Sequence, residues 1–290
     1  MGLRIHTNLL ALGAANRLEE TGRRVEGHLR RLGSGLRITS AADDPAGLAR
    51  SERLDARRRS TNRAASNAQD AIAMVRTMEH GLARMSEIGI RLREIALQAA
   101  NGTTSPQDLT LLDNERALLA DELSYIAKTT RYNDIGVLSQ IESYDFLIGP
   151  DEDDRLRIDL LDFSPVGTVF ASYSLFDEEG LENVHNYSGV LIDTLSGYRG
   201  FLGGLENRLE SVVRSLQAEE DALIAQESLL RDADVAREVS GLQRERVVQG
   251  LQVLVLAQAN VNHLVARELL DGLGSIGAAA ANRANRDATN

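Results

Sequence analysis

The stretch "GLRITSAADDPAG" at residues 35–47 organises this chain, because it separates two long segments whose apolar residues recur at helical spacing. It is short, polar and rich in glycine and aspartate, so it either cradles a ligand or joins two structural elements. Within it, Asp43-Asp44-Pro45 predicts a helix start, since an aspartate side chain can cap free amides and proline is tolerated in the first helical turn.

The segments on both sides of this stretch have apolar seams that predict long helices packed along their lengths. The seam from Ala68 to Ala99 has a mean spacing of about 3.4 residues, close to the coiled-coil value. Leucines at 202, 209, 216, 223 and 230 are each seven residues apart. The other two seams run from Leu18 to Leu36 and from Val247 through Leu251, Leu254, Val261 and Val265 to Leu269. The sequence therefore predicts a mainly α fold.

A helical hairpin is predicted between residues 45 and 128. Asn101-Gly102 can end its first helix, 45–100, through a residue in the left-handed conformation. Ser105 then caps a second helix, 106–128, with Asp108 three residues later completing a capping box.

The middle of the chain differs from its two arms in composition. All 11 aromatic residues fall between Tyr125 and Phe201. Residues 134–182 hold 13 acidic residues and 2 arginines, whereas residues 1–63 hold 13 arginines and 7 acidic residues. Apolar residues alternate at 144–148 and 156–160 around the turn sequence "GPDEDD", which predicts a β-hairpin.

The residues that enzymes and metal sites use are not arranged for either role. The chain has no cysteine, which excludes disulfides and thiolate metal sites, and its five histidines lack metal-ligand spacing. "GSGLRITS" lacks the lysine and second glycine of a phosphate-binding loop. We therefore expect no enzyme activity, no cofactor and no metal.

Three local patterns have a functional and a structural interpretation. Six arginines between Arg50 and Arg63 could contact nucleic acid, but Glu52 and Asp55 interrupt them and no aromatic lies nearby for stacking. The acidic run Asp151–Asp154 could bind a cation, but lacks the glycine and distal glutamate of an EF-hand loop. The leucine heptad could be a DNA-binding zipper, but Arg199 is the sole basic residue closely preceding it. We favour the structural interpretation of each. The arginines form a solvated or protein-contacting helix face, the acidic run is a hairpin turn, and the leucine heptad is a packing seam.

The overall charge and the hydropathy argue against nucleic acid and the membrane interior as partners. A formal net charge of −11 argues against general binding to nucleic acid. The strongly apolar run Val253–Ala257 is far too short to span a bilayer. Arg4 followed by residues 9–15 only faintly resembles a signal peptide, and its pattern continues into a helix.

Several motifs, in matching order and spacing, resemble those of bacterial flagellins over roughly residues 1–160 and 195–270. They are "IHTN" (5–8), "LRRLGSG" and "GLRITSAADDPAGLA" (29–49), "LREIALQAANGTTS" (92–105), "RYNDIGVLS" (131–139), "FLIGPDEDDRLRIDL" (146–160), "FLGGLENRLES" (201–211), "RDADVAREVS" (231–240) and "LAQAN" (256–260).

This resemblance implies a long antiparallel helical bundle or coiled coil of the N- and C-terminal segments, with a small β-hairpin region between them. Residues 1–42 and 235–270 would form an inner-tube domain. Residues 43–234 would form an outer-tube domain containing the helical hairpin, a β-region at 140–195 and a returning helix. Residues 271–290 would be a C-terminal extension. Only about 35 residues separate the β-hairpin from the returning helix, so the chain resembles a short form that lacks the outer variable domains.

The resemblance also implies a structural subunit that self-assembles into the flagellar filament for swimming motility. The implied location is extracellular, reached through the flagellar export machinery without a cleaved signal peptide. The implied partners are other copies of the chain, a secretion chaperone on the C-terminal arm, and the filament cap and hook-junction proteins. The alternatives are a hook–filament junction protein and an intracellular coiled-coil adaptor; the β-centre and the motifs favour the filament.

Two sets of site residues follow from the resemblance. The opening stretch would be an interdomain joint rather than a ligand loop, formed by Gly33, Gly35, Asp43, Asp44 and Pro45. The family usually has a small hydroxyl residue where Gly33 stands, which predicts a more flexible joint here.

The second set is a candidate contact patch for an innate immune Toll-like receptor, made of Arg91, Ile95 and Glu115. The alternative interpretation is that these residues pack subunits together. At the C-terminus, Gly272, Gly274 and Gly277 are expected to break the terminal helix.

Overall fold

The computed structural model describes residues 8–287, which form six α-helices and four β-strands. This confirms the mainly α prediction; of the motif at 5–8, all but Asn8 lies outside the described residues. The helices are α1 (Leu9–Ser34), α2 (Pro45–Ala99), α3 (Pro106–Thr129), α4 (Ser164–Ala171), α5 (Glu178–Arg231) and α6 (Val235–Asp287). The strands are β1 (Arg131–Tyr132), β2 (Ile135–Gly136), β3 (Ser143–Leu147) and β4 (Arg155–Asp159).

The described chain divides into two compact units. The first combines the N-terminal residues through Glu52 with the C-terminal residues from Glu227, and the second is Arg53–Gln226. The unit boundaries fall inside α2 and α5. The assignment of 1–42, 43–234, 235–270 and 271–290 to inner tube, outer tube and extension stays a prediction.

The second unit is a bundle in which α2 packs antiparallel to both α3 and α5. Arg84 and Arg91 of α2 bind Glu122 and Glu115 of α3, and Glu79 of α2 binds Arg199 of α5. The predicted seam on α2 is buried almost throughout, together with the α5 heptad from Leu202 to Leu223. These seams carry the hydrophobic core of this unit.

The connection between α2 and α3 confirms one predicted cap and corrects another. Ser105 and Asp108 form the predicted capping box. Gly102 does not adopt a left-handed conformation, because among the described residues positive φ angles occur at Gly35, Asn133 and Asp134. Instead, the Thr104 hydroxyl donates to the Gln98 carbonyl at 2.9 Å and so satisfies a free acceptor at the helix end.

The central β-hairpin forms as predicted, but the β-region is shorter than 140–195. In the hairpin of β3 and β4, Tyr144 pairs with Ile158 and Phe146 with Leu156. Helix α5 begins at Glu178, so the end of the predicted β-region is helical. Two glutamates in its first turn and buried residues at helical spacing (Val184, Ser188, Leu191 and Leu195) account for the early start.

Helix α4 and the loop after it are fixed to α3 by an ion pair whose arginine is buried and whose aspartate is partly buried. Arg116 donates to the Phe170 carbonyl at 2.5 Å and to Asp113 at 2.8 Å, while Asp113 also accepts from the Leu175 amide. Burial opposes ionisation of Asp113, but the hydrogen bonds from Arg116 and Leu175 hold its pKa below the usual value.

The expected break in the terminal helix is wrong. Helix α6 continues through Gly272 to Asp287 without interruption. Each glycine costs a helix about 1 kcal/mol relative to alanine, and the neighbouring alanines at 278–281 favour the helix.

Candidate functional site

The first unit is built on an antiparallel pair of helices, α1 and α6. Asn8 donates to the Ala259 carbonyl at 3.0 Å, Arg24 lies 3.2 Å from Glu245, and His28 lies 2.5 Å from Glu238. Residue numbers rise along α1 as they fall along α6. The N- and C-terminal helices therefore pair antiparallel, as the resemblance implied.

The contacts of Glu238 are the polar contacts between these helices that are largely removed from solvent. Glu238 is buried and accepts from His28 and, at 3.4 Å, from Arg31. Such a buried carboxylate is stable only when paired. Sequence reasoning missed this cluster, because its members lie on segments about 210 residues apart and no local pattern links them.

Most of the large apolar side chains of this helix pair are exposed. Among the described side chains of the first unit, the buried apolar ones are Ala14, Ile38, Leu242 and Ala259. The exposed ones on α1 and α6 are Leu9, Leu10, Leu12, Leu29, Val235, Val239, Val247, Leu251, Val253, Leu254, Val255, Val261, Leu264, Val265 and Leu269. Burying such a side chain contributes about 1.5–3 kcal/mol, so this surface gains stability when something covers it.

The seam predicted from Val247 is part of this exposed surface. Val247 is 64% exposed, Leu254 67% and Val261 50%. A groove of about 490 Å³ beside it is lined by Leu9, Leu10 and residues of α6. The apolar faces of both helices thus lack an occupant in the single chain, which is typical of a surface that binds another protein.

The segment between α1 and α2 has the geometry of a structured connection. Gly33 lies inside the last turn of α1, and the greater flexibility expected from it stays a prediction. Gly35 ends the helix with a φ of 71°, and its amide donates to the Arg31 carbonyl at 2.8 Å. Leu36 then pairs with Asp232 in an isolated antiparallel bridge.

The two aspartates before α2 have different tasks. Asp44 caps α2 by accepting from the Gly47 amide at 2.9 Å, which confirms the predicted start at Pro45. Asp43 accepts from the hydroxyl and amide of both Thr39 and Ser40. These bonds, led by that from the Thr39 hydroxyl, lower the pKa of Asp43 to about 2. Asp43 thus stabilises the turn formed by residues 39–43. The role of this stretch as an interdomain joint remains a prediction.

Three of the six arginines in the cluster on α2 form ion pairs within the protein. Arg57 binds Glu219 at 3.0 Å, and Arg58 and Arg59 both bind Asp55. Hydrogen bonding to Glu219 raises the pKa of Arg57 further above its already high value. These pairings favour the structural interpretation of the cluster.

The three candidate receptor residues are close together but differ in accessibility. Arg91 and Glu115 are partly exposed and joined at 2.7 Å, while Arg91 also binds Glu94 at 3.0 Å. Ile95 is fully buried in the core. Direct contact with a partner would therefore fall to Arg91 and Glu115, and the receptor patch stays a prediction.

The described part of the chain contains no cluster of three or more histidine or acidic side chains placed to hold a metal. None of the helices in this part of the chain is long and apolar enough to cross a membrane.

Two family models cover most of the chain. Residues 5–143 match the bacterial flagellin N-terminal helical region, and residues 187–266 match the bacterial flagellin C-terminal helical region. These ranges contain α1 and most of the described α6, which form the exposed pair.

Individual relatives match over nearly their whole length. A flagellin of Halalkalibacterium halodurans is 31% identical, with 92% of this chain and 99% of the relative covered. A "flagellar filament 33 kDa core protein" of Treponema phagedenis is 30% identical, with 88% and 96% covered.

A solved structure from Vibrio parahaemolyticus, assigned provisionally to a flagellar hook-associated protein, shares the fold. Its TM-score is 0.56 with 65% of this chain and 99% of that chain covered. Because the identity is 14%, this likeness concerns the fold alone.

Proposed function

This chain belongs to the bacterial flagellin family, and we propose from that premise that it is the structural subunit of a flagellar filament used for swimming. The filament is a homopolymer, and the part that the family plays in it is structural rather than enzymatic.

The observation that carries this proposal is the exposed apolar surface of α1 and α6. Leu10, Val247 and Leu254 are each more than half exposed, although they lie on the helices that pair the two ends of the chain. A narrow contact between two helices does not by itself offset the entropy of ordering them. The helix pair therefore reaches full stability when copies of the chain cover each other's apolar faces.

Assembly and folding of the two arms are coupled in this proposal. The arms are largely disordered in the free subunit and fold as they are buried among other copies. Such a subunit passes unfolded through the flagellar export machinery, without a cleaved signal peptide, to an extracellular filament. A chaperone in the cytoplasm covers the C-terminal arm before export, and cap and hook-junction proteins contact the polymer at its ends.

The two parts of the chain take different places in the filament. The arms, 1–42 with 235–270, line the inner tube, and residues 43–234 form the outer tube. The acidic loop Asp151–Asp154 is exposed, as an outward-facing segment requires. The short connection from β4 to α5 leaves no room for inserted outer domains.

Electron microscopy of the purified chain after addition of filament seeds tests the function. A filament subunit forms long filaments, whereas a hook–filament junction protein or a coiled-coil adaptor does not. Removal of residues 1–40 or 240–290 is expected to leave a folded helical core, seen by circular dichroism, and to abolish polymerisation. If either truncated chain still polymerises on seeds, the coupled-folding account is wrong.

A further inference from the structure

A mostly apolar stripe runs along one side of the first half of α5. Tyr187, Val190, Thr194, Tyr198 and Phe201 follow one another at spacings of 3, 4, 4 and 3 residues. At about 100° per residue they share a sector of about 80° on the helix surface. Val190 is 62% exposed, Phe201 52% and Tyr187 44%. Large apolar side chains therefore face solvent along about 20 Å of this helix.

This stripe opens into a cleft between α4 and α5. Buried Phe163 and Phe170 line the cleft on the α4 side, and Tyr187, Val190 and Thr194 line it on the α5 side. The volume of the cleft is about 180 Å³. Sites for drug-sized ligands measure about 300–1,000 Å³, so this cleft fits one or two apolar side chains rather than a cofactor.

Contacts within the protein hold both ends of the cleft in place. The Tyr198 hydroxyl donates to the Asp159 carbonyl at 2.7 Å, and the Tyr198 ring centroid lies 6.1 Å from that of Phe163. At the other end, Tyr187 stacks on Tyr173 with 5.5 Å between the ring centroids. A partner that enters such a preformed cleft pays little for ordering it.

The segment that builds the cleft is uniformly acidic. Residues 158–198 contain seven aspartates and glutamates and no lysine or arginine. Asp162 precedes Phe163, and the exposed Asp193 precedes Thr194, so a carboxylate stands beside each wall. An exposed apolar patch with a polar rim is typical of an interaction site, and an acidic rim attracts a basic partner. Two copies that meet through this same face repel each other.

One wall of the cleft lies outside the part of the chain that matches the family models. Helix α4 falls between the matched ranges, 5–143 and 187–266. The cleft thus depends on the middle of this chain as well as on the shared helices. Its partner is accordingly sought outside the contacts that pair the two arms.

We propose that the cleft between α4 and α5 binds a basic amphipathic helix of a protein other than this chain, a function separate from polymerisation. One apolar side chain of that helix enters the cleft beside Val190, and others at helical spacing lie along the stripe towards Phe201. Its lysines and arginines face Asp162 and Asp193. The apolar contacts supply affinity, and the opposite charges supply selectivity for a basic partner.

The test uses the full-length chain and a synthetic peptide of about five helical turns. The peptide has leucine at positions i, i+3, i+4 and i+7 of each repeat and lysine elsewhere, with one leucine replaced by photoreactive benzoylphenylalanine. We expect photo-crosslinks to residues 163–201, mapped by mass spectrometry. Val190→Ser should weaken binding about tenfold, measured by fluorescence anisotropy, because it removes one apolar contact. The matched control is Leu118→Ser, which replaces an exposed apolar residue on α3 and should keep the wild-type affinity.

Three results would overturn the proposal. They are equal affinities of wild type and Val190→Ser, crosslinks confined to α1 and α6, and equal binding of a peptide with glutamate in place of lysine. Assembly of Val190→Ser on filament seeds identifies the occupant. If the variant assembles as wild type does, the partner is a different protein, as proposed; if it no longer assembles, the occupant is a second copy of this chain and the proposal is wrong. A wild-type chain that binds the peptide but forms no filaments removes the filament function alone.

Discussion

The imidazole Nδ1 of His28 lies 2.5 Å from a carboxylate oxygen of Glu238, although 210 positions separate the two residues in the chain. Arg31, one turn further along α1, reaches the other oxygen at 3.4 Å. Glu238 thus receives two donors from the opposite end of the sequence. This contact joins α1 to α6 beside the other two polar contacts of the pair, Asn8 with Ala259 and Arg24 with Glu245.

Gly241→Ala is expected to weaken this contact. A Cβ at position 241 would lie 2.6 Å from Cε1 of His28, so the ring must move away from Glu238. Overpacking of this kind costs about 1–3 kcal/mol, which corresponds to a rise of about tenfold or more in the critical concentration of filaments. Gly22→Ala is the control, since nothing lies within 4 Å of its Cβ position. Equal critical concentrations for the two variants would contradict the prediction.

Gly47→Ala is expected to destabilise the first unit. The added Cβ would lie 2.7 Å from Cδ1 of Ile38, which is buried and cannot move freely. In assembled filaments, where the arms are folded, the free energy of unfolding in denaturant should fall by about 1–3 kcal/mol, although alanine normally stabilises a helix relative to glycine. Gly33→Ala, also helical but with open space around its Cβ, should gain up to about 1 kcal/mol. The same sign of change in both variants would refute this account.

The turn before α2 is expected to lose stability in acid. The pKa of Asp43 is lowered from 3.8 to about 2, so the ionised carboxylate stabilises the folded turn above pH 3.8. That contribution disappears as the pH falls through about 2. Titration of the Asp43 carboxyl carbon by nuclear magnetic resonance measures it directly.

Thr39→Val supplies the control for this titration. The variant keeps the shape of the side chain but removes the hydroxyl that contributes most to the shift, so the Asp43 pKa should rise. A wild-type Asp43 that titrates near 3.8 would show that the turn does not hold its charge.

Arg91→Ala is expected to reduce the response of a Toll-like receptor reporter, because Arg91 and Glu115 are the accessible members of the candidate patch. Arg84→Ala is a closely matched control: Arg84 binds Glu122 at 3.0 Å, seven residues away along both helices. Each exposed pair contributes only about 0.2–1 kcal/mol, so neither variant should unfold. Equal responses to wild type and Arg91→Ala would leave these residues with a packing role alone.

Much of the secondary structure was determined by the sequence within short windows. The Ser105–Asp108 capping box and the Asp44 cap before Pro45 depend on side chains that bond to amides three residues away. The alternation of Tyr144 and Phe146 specifies a strand with one buried face. Each of these signals acts through neighbours in the chain, so it is visible without knowledge of the fold.

The tertiary structure decided which faces meet and which remain open. The seam from Val247 was recognisable as apolar, but only the fold shows that α1 packs elsewhere on α6 and leaves that seam exposed. Ile95 lies on the predicted α2 seam, and the fold shows that this seam, unlike the one on α6, is covered within its own unit. The pairing of His28 with Glu238 joins segments about 210 residues apart. Contacts over such distances depend on how whole helices pack, because many chain segments could present the same residue types to each other.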